Sequence, residues 1–124
     1  MIKFIDRYFI TKDSRGALEG LIDFGTWEEI NYIYSESGVT RGHHYHKYTS
    51  EAFFIISGKI KITTQKVDQE KLIGLIEFHT VNKGQVFIIN PKTFHIFEIL
   101  EDSEWINILS DKMDSVEPDI FRIK

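Results

Sequence analysis

Short apolar runs broken by turn residues dominate the chain, and no stretch carries the period of a long helix. The candidate strands are Ile2 to Phe4, Tyr8 to Thr11, Leu18 to Asp23, Ile30 to Tyr34, His43 to His46, Ala52 to Ile56, Lys59 to Thr64, Leu72 to His79, Gln85 to Ile89, His95 to Ile99 and Trp105 to Leu109. This texture predicts an all-β barrel or sandwich. Ser57-Gly58 and Asn82-Lys83-Gly84 can supply the positive φ of tight hairpins, and the charged stretch Lys66 to Lys71 reads as a solvated loop. Lys59, Ile60, Lys61 and Ile62 alternate, which predicts a strand with one face in water. Ala52 to Ile56 and Val86 to Ile89 are apolar on both faces, so a second sheet or another subunit must cover the outer one. The expectation is a homodimer, with the apolar N-terminal segment as an exchanged strand.

Composition narrows the picture. A chain of 124 residues can bury a core and is too short for two ordinary domains, so a single domain over residues 1–124 is expected. It has no cysteine, which removes disulfides and thiolate chemistry and agrees with a reducing cytoplasm. The opening MIKFIDRYFI sets Lys3, Asp6 and Arg7 among its apolar residues and reads as neither signal peptide nor membrane span. A net charge of -4 with acids and bases interspersed leaves no basic stripe for a nucleic-acid backbone. An anionic ligand would have to be held by a local cluster of positive charge.

The candidate chemistry lies in His44, His46, Glu51 and His95. Side chains two apart on a strand share a face, so His44 and His46 aim together and Tyr45 points away. Lys47 to Ser50 suit a hairpin connection, after which Glu51 opens an apolar run that can return beside the first strand and face the imidazoles. His95, from a distant strand, would close the set. Imidazoles with one carboxylate suit zinc, iron, nickel or copper better than calcium or magnesium, and softness alone does not choose among them; no organic cofactor is called for. The alternative is that these histidines only hydrogen-bond inside a barrel, or act as acid and base.

The spacing Gly38, His44, His46, Glu51, Gly58, followed by Gly84 and His95 within GQVFIINPKTFH, resembles the two-part signature of the cupins. That resemblance implies an RmlC-like double-stranded β-helix, the jelly-roll barrel. The second part departs from the usual pattern: Asn90 and Lys92 replace a proline and a glycine, and Ile99 replaces an asparagine. The segments DSRGALEG, INYIYSES and RGHHYHK narrow the likeness to the nucleotide-sugar cupins. These are the 3,4-ketoisomerases of dTDP-4-keto-6-deoxyglucose, the RmlC-type 3,5-epimerases and the cupin domain of a capsular-polysaccharide epimerase/reductase. In the ketoisomerases a similar DSRG-x-L precedes RG-x-H-x-HK, here Asp13 to Leu18 and Arg41 to Lys47. The C-terminal DKMDSVEPDIF resembles the tail of the capsular enzyme.

What the resemblance implies is proton abstraction beside the ketone of a nucleotide-linked 4-keto-6-deoxyhexose, as epimerase or ketoisomerase in cell-surface polysaccharide synthesis. The histidine of the RG-x-H motif, the base of the RmlC-type enzymes, aligns with His44, with His46 the neighbouring candidate. Lys47, Arg41 or a metal would stabilise the oxyanion. Arg41, with Arg15, is the diphosphate candidate. Glu51 stands where ketoisomerases generally carry glutamine and work without metal. The capsular domain keeps glutamate and binds zinc, so HYHKYTSEAFFIISG follows the metal-binding branch. If His44 is ligated, metal-bound water, Tyr45, Tyr48 or His43 would be the base. A metal-dependent cupin oxygenase and a non-catalytic sugar-binding cupin are the competing readings. Arg41 and Lys47 can also be plain surface charges, Asp13 and Arg15 a turn pair, His43 and His79 solvent-facing, and Asp111 to Asp119 a polar connection with a turn.

Overall fold

The computed structural model describes residues 1–124 as nine strands without a helix. They are β1 (Ile2–Ile5), β2 (Phe9–Asp13), β3 (Gly16–Gly20), β4 (Glu29–Ser35), β5 (Thr40–His44), β6 (Glu51–Asp68), β7 (Lys71–Asn82), β8 (Val86–Ile89) and β9 (Thr93–Leu109). β2 and β3 form a hairpin of their own. The rest belong to one sheet in the order β1-β8-β6-β9-β4, with β5 added on β9 and β7 on β6.

The sheet folds over because β6 and β9 are long and shared. The first part of β6, Glu51 to Phe54, pairs with β8, whereas Lys59 to Asp68 pairs with β7. β9 accompanies it throughout, from Glu51↔Leu109 to Lys66↔Thr93, with register slips around Ser57 and Lys59. The sequence pattern breaks each of these strands in two, and the structure joins them. Gly58 has the expected positive φ, +100°, yet it makes a bulge in a continuous strand and no hairpin. A Cβ there would sit 2.6 Å from the Asp102 carbonyl, so the bend needs glycine for closeness as well as for φ.

Inward positions alternate along both long strands, and they build the core. Phe53, Ile55, Ile60, Ile62, Val81, Phe87, Ile89, Phe97, Ile99 and Trp105 form one buried cluster. Phe53 stacks on Phe87 at 5.0 Å, and Phe97 meets Trp105 edge-on at 4.9 Å, so rings from both halves of the folded sheet touch. The indole N–H of Trp105 donates to Ser35 Oγ at 3.2 Å.

Four expectations change here. Ala52 to Ile56 and Val86 to Ile89 are covered, but the chain itself helps: Tyr8, Phe9, Leu18, Leu21 and Ile22 share a cavity with Phe54, Val86 and Ile108. Lys66 to Lys71 is no open loop. It closes the β6–β7 hairpin, with Val67 buried and Gln69 and Glu70 both at positive φ, the backbone of a two-residue type I′ turn. β5 pairs with β9 and not with β6, so Lys47 to Ser50 connects two strands that do not pair with each other. His79 is half-buried and packs edge-on against Phe4 at 5.4 Å, where a solvent-facing ring was expected. The Asn82-Lys83-Gly84 turn is as expected, with Gly84 at φ +88°. β1 pairs with β8 of its own chain, and no helix is long and apolar enough to cross a membrane.

Candidate functional site

The site is assembled where β5 ends. β5 approaches β9 so closely that a Cβ on Gly42 would meet the His95 carbonyl at 2.7 Å, and Gly42 lies at φ +91°. His43 follows at φ +59°, a left-handed residue that makes the register slip and turns His44 toward His95. His46 faces the same way. Tyr45 faces the other, buried and exchanging backbone hydrogen bonds with Phe121. Glu51 opens β6 and His95 lies on β9, so sequence-distant groups meet at one end of the barrel interior.

One ligand atom from each of His44, His46, Glu51 and His95 lies within 4.8 Å of the others. The imidazole centroids are 4.8 to 5.5 Å apart. Backbone carbonyls orient two of the rings. His46 Nδ1 donates to the Asp119 carbonyl at 2.5 Å, and His95 Nδ1 donates to the Thr93 carbonyl at 3.0 Å. A carbonyl only accepts, so these contacts put the proton on Nδ1 and turn Nε2 inward. His46 Nε2 then lies 2.6 Å from Glu51 Oε1, and His95 Nε2 lies 3.5 Å from the same oxygen. Asn107 Nδ2 donates to the other carboxylate oxygen at 3.0 Å.

Electrostatics separate the three rings. Burial holds the His44 imidazole down to about 4, helped by the neighbouring His95 and His46, so it is neutral near pH 7. Burial likewise lowers His95. Burial also works against the proton on His46, but the hydrogen bond and charge of Glu51 outweigh it and raise that pKa. Glu51 is lowered in turn, its burial overcome by His46 and then by the charge of His95. With both nitrogens engaged, His46 holds a proton beside the carboxylate more readily than a free imidazole does.

The donor set fits a metal ion. His95 Nε2 is buried with no hydrogen-bond partner and points at the oxygen that already faces His46 Nε2. A cation between these atoms would satisfy the orphaned nitrogen and take the place of the proton on His46. The cluster could therefore hold a metal, with the Nδ1–carbonyl bonds as the usual orienting contacts of ligating histidines.

The other predicted residues are distributed differently. Arg41 lies opposite Phe97 in the β5–β9 register, on the sheet face that His95 shares, and its side chain is exposed. Lys47 is turned toward the tail, its ammonium 4.2 Å from the Phe121 ring centroid and 3.5 Å from Glu70. It lines a cavity of about 350 Å³ with Tyr45, Tyr48, Val67 and Lys92, outside the cluster. Tyr45 is thus badly placed for proton transfer at the cluster, because its ring is buried 5.7 Å from that of Phe121. Arg15 is at the tip of the β2–β3 hairpin, 88% exposed and bound to Asp13 at 2.6 Å, which is the turn pair and not a cluster neighbour. His43 Nε2 is 3.3 Å from Thr40 Oγ1.

Two contributors were not singled out by sequence: Asn107, which holds Glu51, and Asp119, which holds His46 and the loop after it. Asn107 left one signal, a polar residue at a core-facing position between Trp105 and Leu109. Asp119 left another, since Ile120 and Phe121 make an apolar end to a polar tail.

The family described as the polysaccharide biosynthesis C-terminal domain matches residues 11–119. No curated protein matches the sequence. Among solved structures, a variant of the QdtA 3,4-ketoisomerase of Thermoanaerobacterium thermosaccharolyticum in complex with TDP aligns with a TM-score of 0.73 at 20% identity, covering 98% of this chain and 86% of that one. The dTDP-4-dehydrorhamnose 3,5-epimerase of Sulfolobus tokodaii aligns at 0.73 and 21% identity, covering 92% and 77%. The capsular polysaccharide assembling protein CapF of Staphylococcus aureus aligns at 0.70 and 25% identity, covering 94% of this chain and 34% of that longer one. The chain thus spans about a third of CapF. The fold is the RmlC-like double-stranded β-helix of the cupins.

Proposed function

This chain belongs to the polysaccharide biosynthesis C-terminal domain family, and we propose that it is an isomerase or epimerase of a nucleotide-linked 4-keto-6-deoxyhexose, working by proton transfer beside the ketone. The observation that carries the reading is the difference among the three imidazoles. His46 and His95 are fixed by backbone carbonyls, whereas His44 has no such anchor and is neutral. His44 is therefore the ring free to take a proton from the carbon next to a carbonyl. Arg41, on the same sheet face, is the cation available to a diphosphate or to a developing oxyanion.

His46, Glu51 and His95 are the residues that would hold a divalent metal, zinc before iron, nickel or manganese, and His44 would be the fourth donor only where it does not serve as the base. When bound, such an ion supplies Lewis acidity at the ketone oxygen. The chain's own residues orient the donors, keep water from the buried carboxylate and hold the transferable proton at His44.

The same reading includes a homodimer in the cytoplasm. Leu75, Ile76 and Phe78 on β7 and Ile30 and Tyr32 on β4 are large apolar side chains left in water, more than a monomer needs to expose. Light scattering on a size-exclusion column should give twice the chain mass, and a monomer would remove that part of the reading.

The deciding experiment is elemental analysis followed by proton NMR with a dTDP- or UDP-linked 4-keto-6-deoxy sugar in deuterated water. Near-stoichiometric zinc with deuterium at C3 or C5 supports the proposal whole. Exchange without metal keeps the isomerase and removes the ion. Iron with oxygen uptake and no exchange replaces it with an oxygenase.

A further inference from the structure

The segment from His43 to Thr49 carries His46, leads into Glu51, and borrows its support from the end of the chain. The Asp119 carboxylate accepts hydrogen bonds from the backbone N–H of Lys47 at 2.8 Å and of Tyr48 and Thr49 at 2.9 Å, and from the Thr49 hydroxyl at 2.9 Å. The Asp119 carbonyl is the acceptor that orients His46. Phe121 makes a two-bond bridge with Tyr45, at 2.9 and 3.0 Å, and Arg122 donates to the His43 carbonyl at 3.1 Å. Of these loop residues only His44 receives no such contact.

We infer that Asp119 to Arg122 is a strap that builds the ligand loop, with Asp119 as its positioning residue. A connection without ladder partners must satisfy its N–H groups elsewhere, and here successive amides converge on one carboxylate, a charge-assisted arrangement that admits one loop conformation. The same residue fixes the His46 tautomer through its carbonyl. The inference rests on the metal reading above only in that the loop carries His46 and leads into Glu51. Its consequence is that the donor geometry of the site is set by residues that touch neither metal nor substrate.

The test uses the full chain with Asp119→Ala and Asp119→Asn, compared with Asp114→Asn, which takes only the charge from the group that caps the Val116 and Glu117 amides. Amide exchange at Lys47, Tyr48 and Thr49, the ring nitrogen shifts of His46, zinc affinity by chelator competition and the visible spectrum of the cobalt(II)-loaded protein are measured. In Asp119→Ala, zinc affinity should fall about 10–100-fold, the range for loss of an outer-shell partner. The three amides should lose protection, His46 should leave the single Nδ1–H form, and the cobalt spectrum should change. Asp119→Asn, with one acceptor oxygen, should fall between, and it carries the same readouts if the alanine variant fails to fold. Asp114→Asn should match wild type. Unchanged amides and an unchanged His46 tautomer in either Asp119 variant would overturn the strap whatever zinc does, as would lost protection with zinc affinity and cobalt spectrum intact. If wild type binds no divalent metal while the variants free the loop and His46, the strap stands and the metal reading falls.

Discussion

One barrel interior holds two regions built on opposite rules. Around Phe53, Phe87, Phe97 and Trp105 the order comes from shape: rings meet stacked or edge-on, and almost no polar atom is present. Around His46, Glu51 and His95 it comes from direction: each oriented group has a named donor or acceptor. The regions touch where His95 meets Phe97 at 5.3 Å. The contrast teaches that the apolar end should govern stability and the polar end chemistry, because packing energy follows buried area while hydrogen-bond networks return little net stability.

The sharpest way to break that division is His44→Asn. Deuterium incorporation into a 4-keto sugar should fall by about 10²–10⁴-fold, the usual range for a lost general base, while the urea midpoint stays put. Normal exchange would remove His44 as the base. Trp105→Ala should do the reverse, costing about 3–5 kcal/mol in urea unfolding, as large aromatic deletions do, while the molecules that remain folded keep their wild-type metal content. A metal content that collapsed in the folded fraction would show that the two ends are not separable.

Acid tests the boundary more gently. In the metal-free protein the folded His44 titrates at about 4, whereas an unfolded imidazole titrates near 6.5. The unfolded chain therefore binds more protons between these values, and this contribution to stability, complete above about 6.5, is lost as pH falls toward 4. Urea titrations at pH 7 and pH 5 should show it, and His44→Asn should reduce the difference. The smallest effect compares two arginines. Arg41→Ala should weaken nucleotide-sugar binding by about 1.5–3 kcal/mol, as for a lost hydrogen bond to a charged group. Arg15→Ala should change folding stability by no more than about 0.5 kcal/mol, as for an ordinary surface position. Calorimetry and urea unfolding check the pair, and equal losses of binding would bring the hairpin tip into the site.

How much was legible in the sequence follows from how local each cause is. His44 and His46 were readable because strand alternation is a local rule, and Glu51 and His95 because their spacing from the glycines resembles the cupin signature. Gly58 was readable as a positive-φ residue but not as a bulge, since the close approach of Ser103 and Asp102 decides between bend and hairpin, and those residues come from another strand. The connection after His46 was read as a hairpin for the same reason: polar residues fit a turn, and nothing nearby in sequence says that β5 pairs with β9 instead. The charges of Lys66 to Lys71 point to a loop, whereas burial of Val67 keeps the segment in the hairpin. Asn107 and Asp119 could be noticed as out of place, but their partners lie 56 and 72 or 73 residues away.

The two shared strands carry a further consequence, for how the molecule comes into being. β6 and β9 are separated by the β7 hairpin and β8, and they must find each other along their whole length, from Glu51 with Leu109 to Lys66 with Thr93. Closing so large a loop precedes most of the gain from pairing, so folding should be slow for a chain of this size. Once formed, the pair leaves no seam along which one half of the barrel could open alone. Hydrogen exchange should then report a single opening event for both halves, and the extreme ends of the chain and the hairpin tip should be the places that move without it.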